Sequence, residues 1–206
     1  IAKSIRYPVS RLVADPERFV DDAQEPMSRS GMGVIYTLGS LLQPLRPIPS
    51  EEYRSALLDG YYRPHHRSLD RAVQETLAQW GSCLLLDCHS FPSAPLPYEP
   101  DQDSVRPDIC LGTDPVHTPG WLYEAFRLRF EAAGYSLFRD RPYAGALVPL
   151  RHHGKRPEVL SVMIEVNRKL YMDESTGGVT SDFRTVCEDL QSICSAVIAE
   201  SQLRCV

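Results

Sequence analysis

The chain has 206 residues, of which 43% are hydrophobic and 24% are charged, and its formal net charge at pH 7 is -5. Its length and composition favour a single α/β hydrolase-type domain over residues 1–206. The acidic balance argues against a nucleic-acid-binding surface, which is normally basic. No apolar run approaches the roughly 18 residues of a membrane span, so we expect neither a nucleic-acid nor a membrane partner. The oligomeric state is left open.

Cysteine usage indicates the compartment. The six cysteines form no CxxC pair and are too sparse for a disulfide framework. We therefore expect small buried thiols in a reducing, cytoplasmic environment. They are Cys83, Cys88, Cys110, Cys187, Cys194 and Cys205.

Apolar periodicity and turn residues predict strands that alternate with helices. In chain order, the predicted elements are an extended segment over 5–13, a strand over 31–37, helices over 51–59 and 62–79, strands over 82–88 and 108–111, a helix from Thr118-Pro119 to 133, strands over 135–138 and 159–166, and a helix over 181–203. This alternation predicts a three-layer α/β/α fold with a central mixed, largely parallel sheet, of the phosphorylase/hydrolase-like type.

The strand over 82–88 brings Asp87 and His89 to its carboxyl end. Its unbroken apolar run predicts a central strand that is buried on both faces. Residues i and i+2 of an extended strand point to the same side, so Asp87 can orient His89 or another ligand. His89 is therefore a candidate metal ligand, and a structural histidine at the end of a buried strand is the alternative.

Glu165 lies within the apolar strand over 159–166 and shares a face with Met163. An unpaired buried carboxylate is costly, so its presence there needs a partner or a function. A general base is the functional interpretation, and an ion pair with a buried arginine is the structural one.

Several arginines are candidates for binding carboxylates. Arg11 and Arg18 lie close in sequence around a proline turn, and a guanidinium group can bind a carboxylate through two hydrogen bonds. Two solvated arginines with acidic neighbours are the alternative. Arg63 lies in the first turn of the second predicted helix, close to His65 and His66. These two histidines point about 100° apart on a helix and cannot easily share one metal.

The order of several motifs resembles one family. The motifs are Ser10-Arg11-Leu12-Val13-Ala14-Asp15, Tyr62-Arg63-Pro64-His65-His66, Asp87-Cys88-His89-Ser90, Asp108-Ile109-Cys110-Leu111-Gly112-Thr113, Pro142-Tyr143-Ala144-Gly145, and the stretch from Ile164 to Glu174. From Ser10 to Glu174 the chain resembles the N-formylglutamate amidohydrolases. The resemblance implies a fold related to the zinc carboxypeptidases and aspartoacylases.

The resemblance also implies roles for particular residues. His89 matches a zinc ligand, Glu165 the catalytic glutamate and Arg11 a substrate-binding or carbonyl-polarising arginine. Arg18 matches the arginine of an Asn-Arg pair that binds the substrate carboxylate, although Glu17 stands where the family has Asn. Arg63 and Arg168 are further candidates for substrate binding.

The first metal-binding motif of the family precedes the Ser-Arg segment, where this chain has nine residues and no histidine. Because catalytic zinc ordinarily has three protein ligands, we expect the remaining ligands in a segment before Ile1, so that the domain is N-terminally truncated.

The implied function is zinc-dependent hydrolysis of a small N-acyl amino acid, most simply N-formyl-L-glutamate to formate and L-glutamate. Glu17 and the proline-rich loop over 91–100 leave two alternatives open. One is a zinc amidase or carboxypeptidase-like hydrolase that acts on another N-acyl amino acid or a peptide. The other is a metal-free module that keeps the fold and binds a dicarboxylate.

Overall fold

In the computed structural model of the protein, residues 3–204 are described, and they form two compact units. Unit 1 comprises the chain up to Glu75 together with Leu96–Pro100, and unit 2 comprises Thr76–Pro95 and the chain from Asp101 onward. Among residues 3–204, no helix combines the length and the apolar character needed to cross a bilayer.

Unit 1 contains helix α1 (Glu51–Leu57) and the beginning of helix α2 (Arg63–Trp80). The side chain of Ser50 accepts the Tyr53 N–H, which caps α1 as its sequence predicts. The predicted break at Gly60 is wrong, because a π-helical turn over Leu58–Tyr62 joins α1 to α2. A wider turn accommodates an extra residue without ending the helix.

The predicted strand over 31–37 is also wrong. Gly31, at φ 67°, caps a short 3-10 helix, and its carbonyl accepts the N–H groups of Thr37 and Leu38. These bonds close the segment into a compact loop, so its apolar side chains are buried without a strand ladder. The segment over 5–13, predicted to be extended, is not part of a sheet and ends in a turn at residues 11–13.

Unit 2 is built on a four-stranded sheet in the order β1-β4-β2-β3. The β1–β4 and β2–β3 pairs are parallel and the β2–β4 pair is antiparallel, which confirms the predicted mixed, largely parallel α/β fold. The strands are β1 (Cys83–Phe91), β2 (Ile109–Gly112), β3 (Leu137–Arg139) and β4 (Val159–Asn167), and a separate short hairpin consists of β5 (Met172–Asp173) and β6 (Gly178–Val179).

Strand β4 is buried along its whole length, whereas β1 is a partly buried edge strand of this sheet. The expectation that β1 is central and buried on both faces is therefore wrong. An apolar run reports the burial of side chains but does not report how many strands flank it. Cys88 on β1 and Cys187 on the last helix are exposed, contrary to the expectation of buried thiols, and Cys205 lies outside the described residues.

Alternate residues of the sheet point to opposite faces. One face, here called the helix face, packs against α3 (Gly120–Ala132) and α4 (Phe183–Arg204). Its apolar core includes Ile109, Leu111, Val162, Ile164 and Val166 from the sheet, and Leu122, Phe126, Phe130, Val186, Ile193 and Val197 from the helices. Burying this face fixes the strands whose other face carries the polar side chains.

Candidate active site

The opposite face of the sheet, here called the polar face, collects Asp87, His89, Cys110 and Glu165. In the β1–β4 register His89 is paired with Glu165, and in the β2–β4 register Cys110 is paired with the same Glu165. Paired residues of adjacent strands project to the same side, and neighbouring strands lie about 4.8 Å apart. The register therefore places Glu165 between His89 on one side and Cys110 on the other.

Asp87 and His89 form a pair at the carboxyl end of β1, on the same side of the strand as predicted. The His89 Nε2 and Asp87 Oδ1 atoms are 2.8 Å apart, and the two side chains are 21% and 12% exposed. A carboxylate in this position fixes the orientation of an imidazole ring. Histidine nitrogen and carboxylate oxygen are also two of the donor types that zinc prefers, so the pair fits a metal-binding role.

Glu165 is only 8% exposed. Burial raises the pKa of the neighbouring Cys110 thiol to about 11, and the negative charge of Glu165 acts in the same direction. The thiol is therefore protonated at neutral pH, and it donates a hydrogen bond to the Tyr143 carbonyl at 3.2 Å. The polar face thus presents Glu165 between a histidine and a protonated thiol.

Arg168 follows directly after β4 and connects the ends of two strands. Its Nε donates to the Ser90 hydroxyl at 3.2 Å and its Nη2 to the Ser90 carbonyl at 3.1 Å. Ser90 is the residue after His89, so these bonds fix the chain next to the metal-ligand candidate. The predicted role of Arg168 in substrate binding stays a prediction.

In unit 1, the predicted pair Arg11 and Arg18 converges on one buried carboxylate. Asp15 is fully buried, and its Oδ2 lies 3.5 Å from the Arg11 Nε and 3.7 Å from the Arg18 Nε. Tyr36 donates its hydroxyl hydrogen to Asp15 at 2.5 Å, and the Glu17 N–H donates to Asp15 at 3.0 Å. The Asp15 carboxylate therefore positions both arginines. From the sequence alone, Asp15 is only one of their acidic neighbours.

The pKa shifts in this network follow from burial and from Asp15. Burial opposes the charged form of Arg11, but Asp15 and other nearby groups outweigh it, so the pKa of the guanidinium is raised. Burial, reinforced by the Asp15 charge, also raises the pKa of the Tyr36 hydroxyl. Both groups keep their protons at neutral pH and remain donors toward the carboxylate.

The third arginine of unit 1, Arg63, is placed differently. Its side chain is 44% exposed at the start of α2 and pairs with Asp59 one turn earlier. The two neighbouring histidines point in different directions, as expected: the His66 Nε2 lies 2.9 Å from the Pro16 carbonyl, and the His65 ring meets the edge of Tyr7. The predicted substrate-binding role of Arg63 stays a prediction.

Sequence reasoning missed Cys110 and Tyr143 as parts of the polar face. The sequence marks Cys110 as an expected buried thiol within one of the family motifs, and only the strand pairing shows that it lies beside Glu165. Tyr143 was visible only as part of a motif in an irregular loop. Its edge-to-face contact with Phe91, at 5.7 Å between ring centroids, depends on the tertiary structure.

Comparison with known proteins decides the family. A sequence model of the N-formylglutamate amidohydrolase family matches residues 1–172. The chain belongs to the N-formylglutamate amidohydrolase family. This confirms the resemblance that the ordered motifs indicate.

The relatives of this family member include two bacterial N-formylglutamate deformylases. The chain is 33% identical to that of Pseudomonas putida over 135 residues, which are 62% of this chain and 47% of the relative. It is 29% identical to that of Pseudomonas aeruginosa over 178 residues, which are 80% of this chain and 65% of the relative. The chain thus spans about half to two thirds of the length of these curated relatives.

Solved structures support the fold. The N-formylglutamate amidohydrolase from Ralstonia eutropha matches with a TM-score of 0.77 and 26% identity, over 95% of this chain and 76% of that chain. A gene product from Agrobacterium tumefaciens matches with a TM-score of 0.66 and 20% identity, over 93% of this chain and 69% of that chain, which supports the fold alone.

Proposed function

We propose that the protein is a zinc-dependent amidohydrolase that converts N-formyl-L-glutamate and water to formate and L-glutamate. The observation that carries the proposal is the pairing of His89 with Glu165 on adjacent strands, next to the Asp87–His89 pair. The family and the names of the curated relatives support this substrate.

Glu165 acts as the general base in this proposal. It accepts a proton from the water that attacks the formyl carbon and delivers it to the amine nitrogen of L-glutamate as the C–N bond breaks. Its 8% exposure shields the carboxylate from bulk water, and the protonated Cys110 thiol beside it adds no negative charge. A positioned acid–base group of this kind contributes about 10²- to 10⁴-fold to the rate.

His89 would hold the zinc ion, with Asp87 as a second ligand or as the group that orients the ring. Bound zinc would polarise the formyl carbonyl and lower the pKa of a coordinated water to about 7. The imidazole nitrogen of His89 and the carboxylate oxygen of Asp87 are donor types that zinc binds, which supports this assignment. The remaining zinc ligands would be those that the family resemblance implies.

The arginines have proposed roles that rest on the resemblance. Arg11 would stabilise the negative charge that develops on the carbonyl oxygen, and Arg18 would bind a substrate carboxylate, with Arg63 and Arg168 as further candidates. In unit 1 the Asp15 carboxylate positions both Arg11 and Arg18, which supports a fixed rather than a mobile guanidinium pair.

The decisive experiment measures formate release from N-formyl-L-glutamate by the full-length, zinc-supplemented protein. N-acetyl and other N-acyl amino acids, and a short peptide, form the comparison panel. Hydrolysis of another member of the panel, without formate release, would replace the substrate but keep the enzyme. Binding of L-glutamate without hydrolysis and without zinc would favour the metal-free module.

A second measurement tests the metal role of His89. Elemental analysis of the full-length protein is expected to show zinc in the wild type and its loss in His89→Ala. His153→Ala is the matched control, because His153 is an exposed histidine of the same unit. Unchanged zinc stoichiometry in His89→Ala would exclude this residue as a ligand.

A further inference from the structure

The segment over 140–145 follows strand β3 and crosses the polar face. The Tyr143 carbonyl accepts the Cys110 thiol hydrogen on β2, and the Tyr143 ring packs against Phe91 on β1. Strand β4 lies between β1 and β2. Tyr143 contacts β1 and β2, the two strands that flank β4. On this face it must therefore pass over the part of β4 that carries Glu165 and Asn167, the register partners of Cys110 and Phe91.

Asp140, the first residue of this segment, is hydrogen-bonded to the end of β2. It has a left-handed backbone conformation with φ 52°, which is unfavourable for most residues other than glycine. Its carboxylate accepts the Thr113 N–H at 2.7 Å and the Thr113 hydroxyl hydrogen at 2.6 Å, and its own N–H donates to the Leu111 carbonyl at 2.9 Å. The three bonds attach Asp140 to the end of β2 and compensate for the unfavourable conformation.

Two other contacts involve this segment. Arg141 pairs with Asp101 at 2.8 Å and with Asp103 at 2.5 Å. Gly112 at the end of β2 has no room for a side chain, because an added Cβ would lie 2.2 Å from the Gly145 carbonyl oxygen. The segment therefore packs directly on the β2 backbone.

We propose that Asp140 is a positioning residue that acts through Tyr143. By bonding Thr113 it fixes Tyr143 as a wall over Glu165, and this wall restricts the site to a small acyl group. The acyl carbon must approach Glu165 to receive the activated water, so a substituent larger than hydrogen on that carbon meets the tyrosine ring. This inference rests on the proposed function and deepens it by naming what selects the acyl group.

The test compares the full-length wild type with Asp140→Ala, Asp140→Asn and Thr113→Val, all supplemented with zinc. The values of kcat and KM are measured for N-formyl-L-glutamate and N-acetyl-L-glutamate. We expect Asp140→Ala and Thr113→Val each to lower the formyl-to-acetyl ratio of kcat/KM at least tenfold. Asn tolerates the left-handed conformation and keeps an acceptor, so Asp140→Asn is expected to stay within threefold of the wild type.

A second readout does not depend on catalysis. The rate at which iodoacetamide modifies Cys110, followed by peptide mass spectrometry, is expected to rise at least fivefold in Asp140→Ala. Asp21→Ala is the control, since Asp21 accepts the Ala23 N–H in an exposed loop of unit 1, and it should leave the rate unchanged.

The outcomes separate the two proposals. If the wild type releases no formate but hydrolyses another N-acyl amino acid, the proposed substrate is wrong. The rate of Cys110 modification by iodoacetamide still decides whether Asp140 positions Tyr143. If no amide is hydrolysed, acyl selection fails together with the proposed function. A Cys110 rate in Asp140→Ala within twofold of the wild type overturns the positioning role. An unchanged acyl ratio with an increased Cys110 rate overturns the selection of the acyl group.

Discussion

Two regions of the molecule hold buried carboxylates by different means. In unit 1 Asp15 is held in a loop by hydrogen bonds and ion pairs from Tyr36, Glu17, Arg11 and Arg18. In unit 2 the backbone position of Glu165 is set by the register of three strands, which the apolar packing of the helix face stabilises. The first arrangement depends on charge and protonation, whereas the second depends on packing.

The difference indicates how each region should respond to change. Removing a charge should damage the Asp15 network, while removing apolar volume should damage the sheet on which Glu165 lies. Changing the Glu165 carboxylate alone should leave the fold intact and affect only chemistry.

The largest effect is expected for Glu165→Gln. The amide cannot accept the proton from water, so kcat for formate release should fall about 10²- to 10⁴-fold. Steady-state kinetics of the full-length protein measure this, and Glu158→Gln, at an exposed surface pair with Arg156, is the control. Turnover of Glu165→Gln within threefold of the wild type would refute the general-base role.

The helix face is tested by Phe126→Ala. Phe126 is fully buried against the sheet, so the lost contacts and the cavity should lower the free energy of unfolding by about 4 kcal/mol. Leu128→Ala is the matched control on the same helix, because Leu128 is 55% exposed. Urea unfolding followed by circular dichroism compares the two, and equal losses would contradict the assigned packing.

The Asp15 network is tested by Asp15→Ala. The substitution leaves Arg11, Arg18 and the Tyr36 hydroxyl without their common acceptor, and we expect the free energy of unfolding to fall by about 3 kcal/mol. Asp59→Ala removes a carboxylate that is paired with Arg63 at the surface and should cost less than about 1 kcal/mol. A loss in Asp15→Ala no larger than in the control would show that the buried network does not stabilise unit 1.

The smallest effect concerns pH. Burial lowers the pKa of His66, whose Nε2 lies 2.9 Å from the Pro16 carbonyl. The folded state therefore favours the neutral ring, and stability is expected to fall as the pH drops below about 6.5, the ordinary value in the unfolded chain. The decrease in the free energy of unfolding should be smaller than roughly 1.4 kcal/mol, the value that corresponds to a pKa change of one, because the ring keeps some contact with water.

Urea unfolding at pH 7.5 and pH 5.0 measures this dependence in the wild type and in His66→Gln. The decrease on acidification should be smaller in His66→Gln than in the wild type and in His153→Gln, a change at an exposed histidine. An identical decrease in all three proteins would remove His66 as a source of the pH dependence.

Much of the fold follows from local patterns in the sequence. The α/β alternation, most strand and helix positions, and the end of α3 near Gly134 are confirmed, because periodicity and turn residues act within a few residues of the chain. The predicted start of α3 differs by a small shift: Thr118 does not cap the helix, and its hydroxyl instead donates to the Ser161 carbonyl on β4. Long-range bonds of this kind leave no local signal.

The sequence by itself indicated the family and the residues that could act in catalysis or metal binding, because ordered motifs and strand-end positions are properties of the chain alone. Only the tertiary structure decided that β1 lies at a sheet edge, that His89 and Cys110 flank Glu165, and that Tyr143 contacts both Phe91 and Cys110. Strand order, register and loop closure are set by partners that are distant in sequence. The physical reason is that burial and hydrogen bonding act on neighbours in space.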